Sequence, residues 1–74
     1  MAGGSTRRSV IVSGHRTSVS VEAPFWDELA AIARRRGLSI NALVGEIDRA
    51  RDASLSAAIR LYVLDEVKSR ARED

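Results

Sequence analysis

The stretch "SVIVSGHRTSVSVEAPFW", Ser9 to Trp26, decides how the rest of the chain is read. "SVIVSG", Ser9 to Gly14, is rich in β-branched residues and closes on glycine, as a short strand does. "RTSVSVE", Arg16 to Glu22, alternates strictly: Thr17, Val19 and Val21 fall on one face, and Arg16, Ser18 and Ser20 on the other. Gly14-His15 between them suits a two-residue type II′ turn, which pairs Ser13 with Arg16, Val12 with Thr17 and Val10 with Val19. That hairpin puts Val10 and Val12 on the same face as Thr17, Val19 and Val21. A single continuous strand would bring only Ile11 to that face, so the apolar count favours the hairpin.

Beyond the strands the period changes from two to 3.6. Pro24 suits the first turn of a helix whose apolar face is Phe25, Trp26, Leu29, Ile32 and Ala33; Arg34, Arg35 and Arg36 end it and Gly37 is its expected C-cap. Ser39 is placed to N-cap a second helix, in which Ile40, Leu43, Val44 and Ile47 fill the i, i+3, i+4, i+7 positions. After a weak break at Asp52 to Ser54, the residues Leu55, Ala58, Ile59, Tyr62, Val63 and Val67 form a third helical stripe, which Leu61 and Leu64 widen beyond one face. No internal repeat is read along the chain. Met1 to Arg8 is expected to be a disordered tail, and residues 9–74 a single domain.

A chain of 74 residues has little core of its own, and without cysteine it has neither disulfides nor thiolate metal ligands. Either a compact fold or a partner's surface must make up the difference. No apolar run suggests a membrane span or a signal peptide, so a cytoplasmic protein is expected. Net charge is +2, but residues 1–41 hold six arginines against three acids, while residues 42–74 hold six basic and seven acidic residues. A surplus at the strand end of the chain points toward a polyanion.

Strand, proline-led helix, "RRRGLSIN" and second helix, in this order and spacing, resemble the ribbon-helix-helix family of bacterial DNA-binding proteins, the group of the Arc and MetJ repressors. The resemblance covers Arg16 to Arg51. "GHRTSVSVE", "FW", "ID" and "LSAAIR" are in addition similar to a bacterial subgroup known only by the fold. The resemblance implies a mainly α fold with a short β ribbon in an intertwined homodimer, here with an added N-terminal strand and a third helix. Strands of two copies would pair antiparallel and enter the major groove. Dimer-core positions would be Val19, Val21, Trp26, Leu29, Leu43, Val44 and Ile47. Arg16, Ser18 and Ser20 would face the bases, Arg16 with bidentate hydrogen bonds to guanine. The amino end of the second helix, at Ser39, Ile40 and Asn41, would hold a phosphate, helped by Arg34, Arg35, Arg36, Arg7 and Arg8.

Each of these residues has a plainer reading. The arginine triplet complements a helix C-terminus, Ser39 is an ordinary cap, and serines suit any exposed strand. His15, the one histidine, has no companions for a metal, and Glu46 and Asp48 face no nucleophile, so neither a cofactor nor an enzyme is expected. The hairpin also raises a difficulty. A dimer of hairpins is a four-stranded sheet about 14 Å across, against a major groove of about 12 Å. Two readings follow: a dimeric, sequence-selective transcriptional regulator on double-stranded DNA, or an antitoxin-like or adaptor module that binds a protein, with helix 55–70 as the contact.

Overall fold

The computed structural model describes residues 5–73, arranged as an antiparallel hairpin and three helices: β1 (Ser5–Val12), β2 (His15–Glu22), α1 (Ala23–Arg36), α2 (Ile40–Ala50) and α3 (Leu55–Glu73). Of the tail expected to be disordered, residues 1–4 lie outside the described residues, while Ser5 to Arg8 lengthen β1 ahead of its expected start.

The hairpin forms, but its turn lies one residue earlier than the glycine-led type II′ reading. Val12 pairs with His15, leaving Ser13 and Gly14 as the turn, with φ of +53° and +79°. Two positive φ values are the type I′ pattern, whose twist matches that of the strands it joins. Gly14 adopts it freely; Ser13 does so under strain. Val10 therefore faces Thr17 rather than Val19, and Arg8 faces Val19. The observed register differs from the expected one by two residues in the pairing, and side chains alternate with period two, so the same valines still point inward.

β2 runs into α1 without a linker. Glu22, the last strand residue, is also the N-cap, extended at φ −63° and ψ 148°, and Pro24 occupies the first turn. Gly37 ends α1 in the left-handed region at φ 72°, with the Leu38 amide donating to the Ala33 carbonyl at 2.8 Å and the Gly37 amide to the Arg34 carbonyl at 3.1 Å. This double closure satisfies carbonyls that no further turn will reach. Ser39 Oγ accepts the Ala42 amide at 3.0 Å to start α2, and Ser54 Oγ accepts the Ala57 amide at 3.2 Å to start α3.

The core lies between the inner face of the ribbon and the three helices. Val10, Val12, Val19 and Val21 come from the strands, Leu29, Ile32 and Ala33 from α1, Leu43, Val44 and Ile47 from α2, and Ile59 and Val63 from α3. Each large side chain withdrawn from water contributes about 1.5–3 kcal/mol, which a two-stranded ribbon cannot supply alone. α2 packs on β1 and α3 on β2. The third helix thus completes the core, as its apolar stripe implied. Phe25, Trp26, Ile40, Leu55, Ala58 and Tyr62 pack around the rim.

Candidate nucleic-acid interface

Because the valines point inward, Arg7, Ser9 and Ile11 of β1 and Arg16, Ser18 and Ser20 of β2 point outward. The register sets them in three cross-strand pairs: Arg7 with Ser20, Ser9 with Ser18, and Ile11 with Arg16. All except half-buried Ser20 are exposed, Ile11 to 49%. The face is polar, carries two guanidinium groups and includes one aliphatic side chain.

The ribbon's outer edges bear on how it meets DNA. On β1 the Ile11 amide donates to Asn41 Oδ1 at 3.2 Å. On β2 the Ser20 amide donates to Ser56 Oγ at 3.0 Å, and the Ser20 carbonyl accepts from Arg60 Nη2 at 2.8 Å. Arg60 Nε also donates to Glu22 Oε1 at 2.8 Å. An antiparallel neighbour would need that same Ser20 amide and carbonyl. β2 is paired within its own chain on one side and held by α3 at Ser20 on the other, whereas the sequence resemblance placed a second copy's strand there. A ribbon of two strands, about 5 Å apart, is narrow enough for a groove of about 12 Å.

The expected phosphate-holding residues separate into groups. Ser39 and Asn41 are exposed at the amino end of α2, and the Ile40 and Asn41 amides, at its first two positions, have no acceptor within the helix. Ile40 itself packs on the core. The Asn41 side chain bonds Ile11, which fixes that helix end against the turn end of the ribbon. Arg34 and Arg35 are exposed in the last turn of α1. Arg36 is exposed too but is engaged by other side chains: Nη1 donates to Tyr62 Oη at 3.1 Å and lies 3.1 Å from Glu46 Oε1. Its pKa is raised further, by the Tyr62 hydrogen bond and then by Glu46, so it remains a cation at any working pH.

Arg7 and Arg8 part company. Arg7 is on the outer face, whereas Arg8 lies on the inner one, 4.9 Å from the Trp26 ring centroid, with Nε buried and without a hydrogen-bond partner among the described residues. The ring face offsets part of that desolvation. Arg7 was expected at phosphates, and its place among the outward residues was legible in the alternation Arg7, Ser9, Ile11 against Val10, Val12. Asn41, Ser56 and Arg60 as holders of the ribbon edges left no signal in the sequence.

The residues expected at a dimer core, Val19, Val21, Leu29, Leu43, Val44 and Ile47, are buried in one chain, and Trp26 is packed against them. Besides Ile11 on the ribbon, the large apolar residues that stay exposed are on α3: Leu61 at 61%, Leu64 at 50% and Val67 at 38%. Among the described residues, no group of three or more His, Cys, Asp or Glu is placed to hold a metal, and no helix is long and apolar enough to cross a membrane.

No curated protein and no solved structure matches the chain. The model of the ribbon-helix-helix domain matches residues 5–67, which takes in both strands, α1, α2 and most of α3. Ribbon-helix-helix domains are regulatory modules that typically form homodimers and bind DNA, or serve as antitoxins. Ribbon, helix order and match together make this chain a member of the ribbon-helix-helix domain family.

Proposed function

We propose that this protein is a sequence-selective DNA-binding transcriptional regulator that lays the outer face of the β1–β2 ribbon in the major groove. The observation that carries the reading is a two-stranded ribbon with an exposed, cationic outer face and edges held by its own helices. Arg16 reads guanine through two hydrogen bonds, and Ser18 and Ser20 add contacts that nearly any base accepts. The amino end of α2 at Ser39, Ile40 and Asn41 takes a phosphate, and Arg34 and Arg35 add salt-sensitive attraction. Homodimers, usual in the family, would form here through the exposed apolar residues Leu61, Leu64 and Val67 of α3, because the β2 edge at Ser20 is occupied.

Titrating the full chain into duplex DNA at several salt concentrations tests this. Log affinity should fall linearly with log salt, and Arg16→Ala should weaken discrimination at one base position. Affinity that is absent, or insensitive to salt, rejects it. The same exposed apolar residues of α3 favour a second reading, a module that binds a protein without reading bases. A protein partner lost with Leu61→Ser and Leu64→Ser, in a chain with no DNA affinity, would establish that reading instead.

A further inference from the structure

The pairing register exposes a short repeat that is easily passed over in the linear sequence. Arg7-x-Ser9-Val10-x-Val12 recurs nine positions on as Arg16-x-Ser18-Val19-x-Val21. In an antiparallel hairpin, a segment and its repeat are related by a twofold axis only where the equivalent central residues pair with each other. They do so here, since Ser9 pairs with Ser18. About that axis Arg7 exchanges with Arg16, Val10 and Val12 with Val19 and Val21, and Ile11 with Ser20.

The starts of α2 and α3 match the same exchange. Ser39-Ile40-Asn41-Ala42 at the start of α2 has its counterpart in Ser54-Leu55-Ser56-Ala57 at the start of α3. Each serine caps the amide three residues on, Ser39 that of Ala42 and Ser54 that of Ala57. The second helical residue of each, Asn41 and Ser56, accepts a ribbon amide, and the two donors, Ile11 and Ser20, are themselves twofold equivalents. Alternating valines and serine caps each recur often in unrelated chains. Here the strand repeat and the helix repeat have different spacings, yet hydrogen bonds join corresponding members.

We propose that one chain reads a short inverted-repeat site, with Arg7 and Arg16 as equivalent base-reading residues, one for each half of the site and each directed at a guanine on a different DNA strand. This rests on the groove-binding function proposed above. A ribbon formed from two chains takes its symmetry from the assembly; this ribbon takes it from a repeat within one polypeptide. The Arg7–Ser20 and Arg16–Ile11 pairs stand four residues apart along the strands. That is about 13 Å, or about four base-pair steps. The symmetry is broken at Ile11 and Ser20. Ile11 prefers a thymine methyl whereas a hydroxyl accepts most bases, so one flank is specified more tightly than the other.

Selection from random duplex DNA with the full chain, Arg7→Ala and Arg16→Ala tests this, with the mass of the complex on the selected duplex read by light scattering. Both arginines are exposed, and circular dichroism is the check that each variant is folded. The expected site has two guanines on opposite strands about four base pairs apart for each chain bound. Each variant should release one guanine and weaken binding to the selected site about 5- to 150-fold. If Arg7→Ala weakens all sequences equally, or two chains are needed for one pair of guanines, the inference fails while DNA binding stands. If no duplex is bound, the proposed function fails as well.

Discussion

The amide of Ser20 in β2 donates to Oγ of Ser56 in α3 at 3.0 Å, and this contact ties one edge of the ribbon to the third helix. With Arg60 on the Ser20 carbonyl, α3 takes both backbone groups that a neighbouring strand would need at Ser20. The helix that enlarges the core also covers the sheet edge at Ser20. A narrow ribbon and a sufficient core thus come from the same element.

Arg60→Ala should cost about 1–2 kcal/mol, since a charge-assisted bond to Ser20 and an ion pair with Glu22 are lost together and both carboxylate and guanidinium are partly exposed. Urea unfolding measures this. With Ser56→Ala added, the freed edge should also bring concentration-dependent self-association, visible by sedimentation. An unchanged unfolding midpoint in the double variant would show that α3 does not secure the edge.

Ser13→Asn should raise stability by about 1 kcal/mol. The turn holds Ser13 at φ +53°, a region asparagine tolerates better, and Asn-Gly is the preferred pair for type I′. Thermal unfolding at fixed concentration reads the gain, and a lower melting temperature would argue against this turn.

Two aliphatic residues of α3 should behave oppositely. Ile59 is fully buried, and Ile59→Ala should cost about 2–5 kcal/mol. Leu61 is 61% exposed, and Leu61→Ser should change monomer stability by less than about 0.5 kcal/mol. Equal losses in the two variants would mean that α3 packs with a different face inward.

The two helix starts should be energetically alike. Ser39→Ala and Ser54→Ala each remove one side-chain cap, at about 1 kcal/mol apiece. Denaturant unfolding of both single variants gives the comparison, and a silent Ser54→Ala would count against an ordered start of α3.

Much of this fold was legible because periodicity is a local property. Val19 and Val21 against Ser18 and Ser20 announced a half-buried strand, and Ser39, Ile40, Leu43, Val44 and Ile47 announced a capped, one-faced helix that the structure contains. Gly37 was the left-handed stop expected of it. The turn was misplaced by one residue because both readings keep Val10 and Val12 inward. An apolar count cannot separate registers that differ by an even number of residues.

The candidate interface was legible in part. Outward placement of Arg16 and Ser18 follows from alternation alone, and so does that of Arg7 once β1 is extended to Ser5. The removal of Arg8 to the Trp26 ring, the tie of Arg36 to Tyr62 and Glu46, and the hold of Asn41 on Ile11 join residues far apart in the chain. No local pattern encodes such contacts.

What the sequence alone determined is which side chains share a face and where helices begin and end, since backbone geometry imposes periods of two and 3.6 on every strand and helix. Tertiary structure decided what lies along the ribbon's edges and which apolar residues of α3 remain in water. Those outcomes depend on where separate elements meet, and the packing of α2 on β1 and α3 on β2 is what brings Asn41 and Ser56 to their amides.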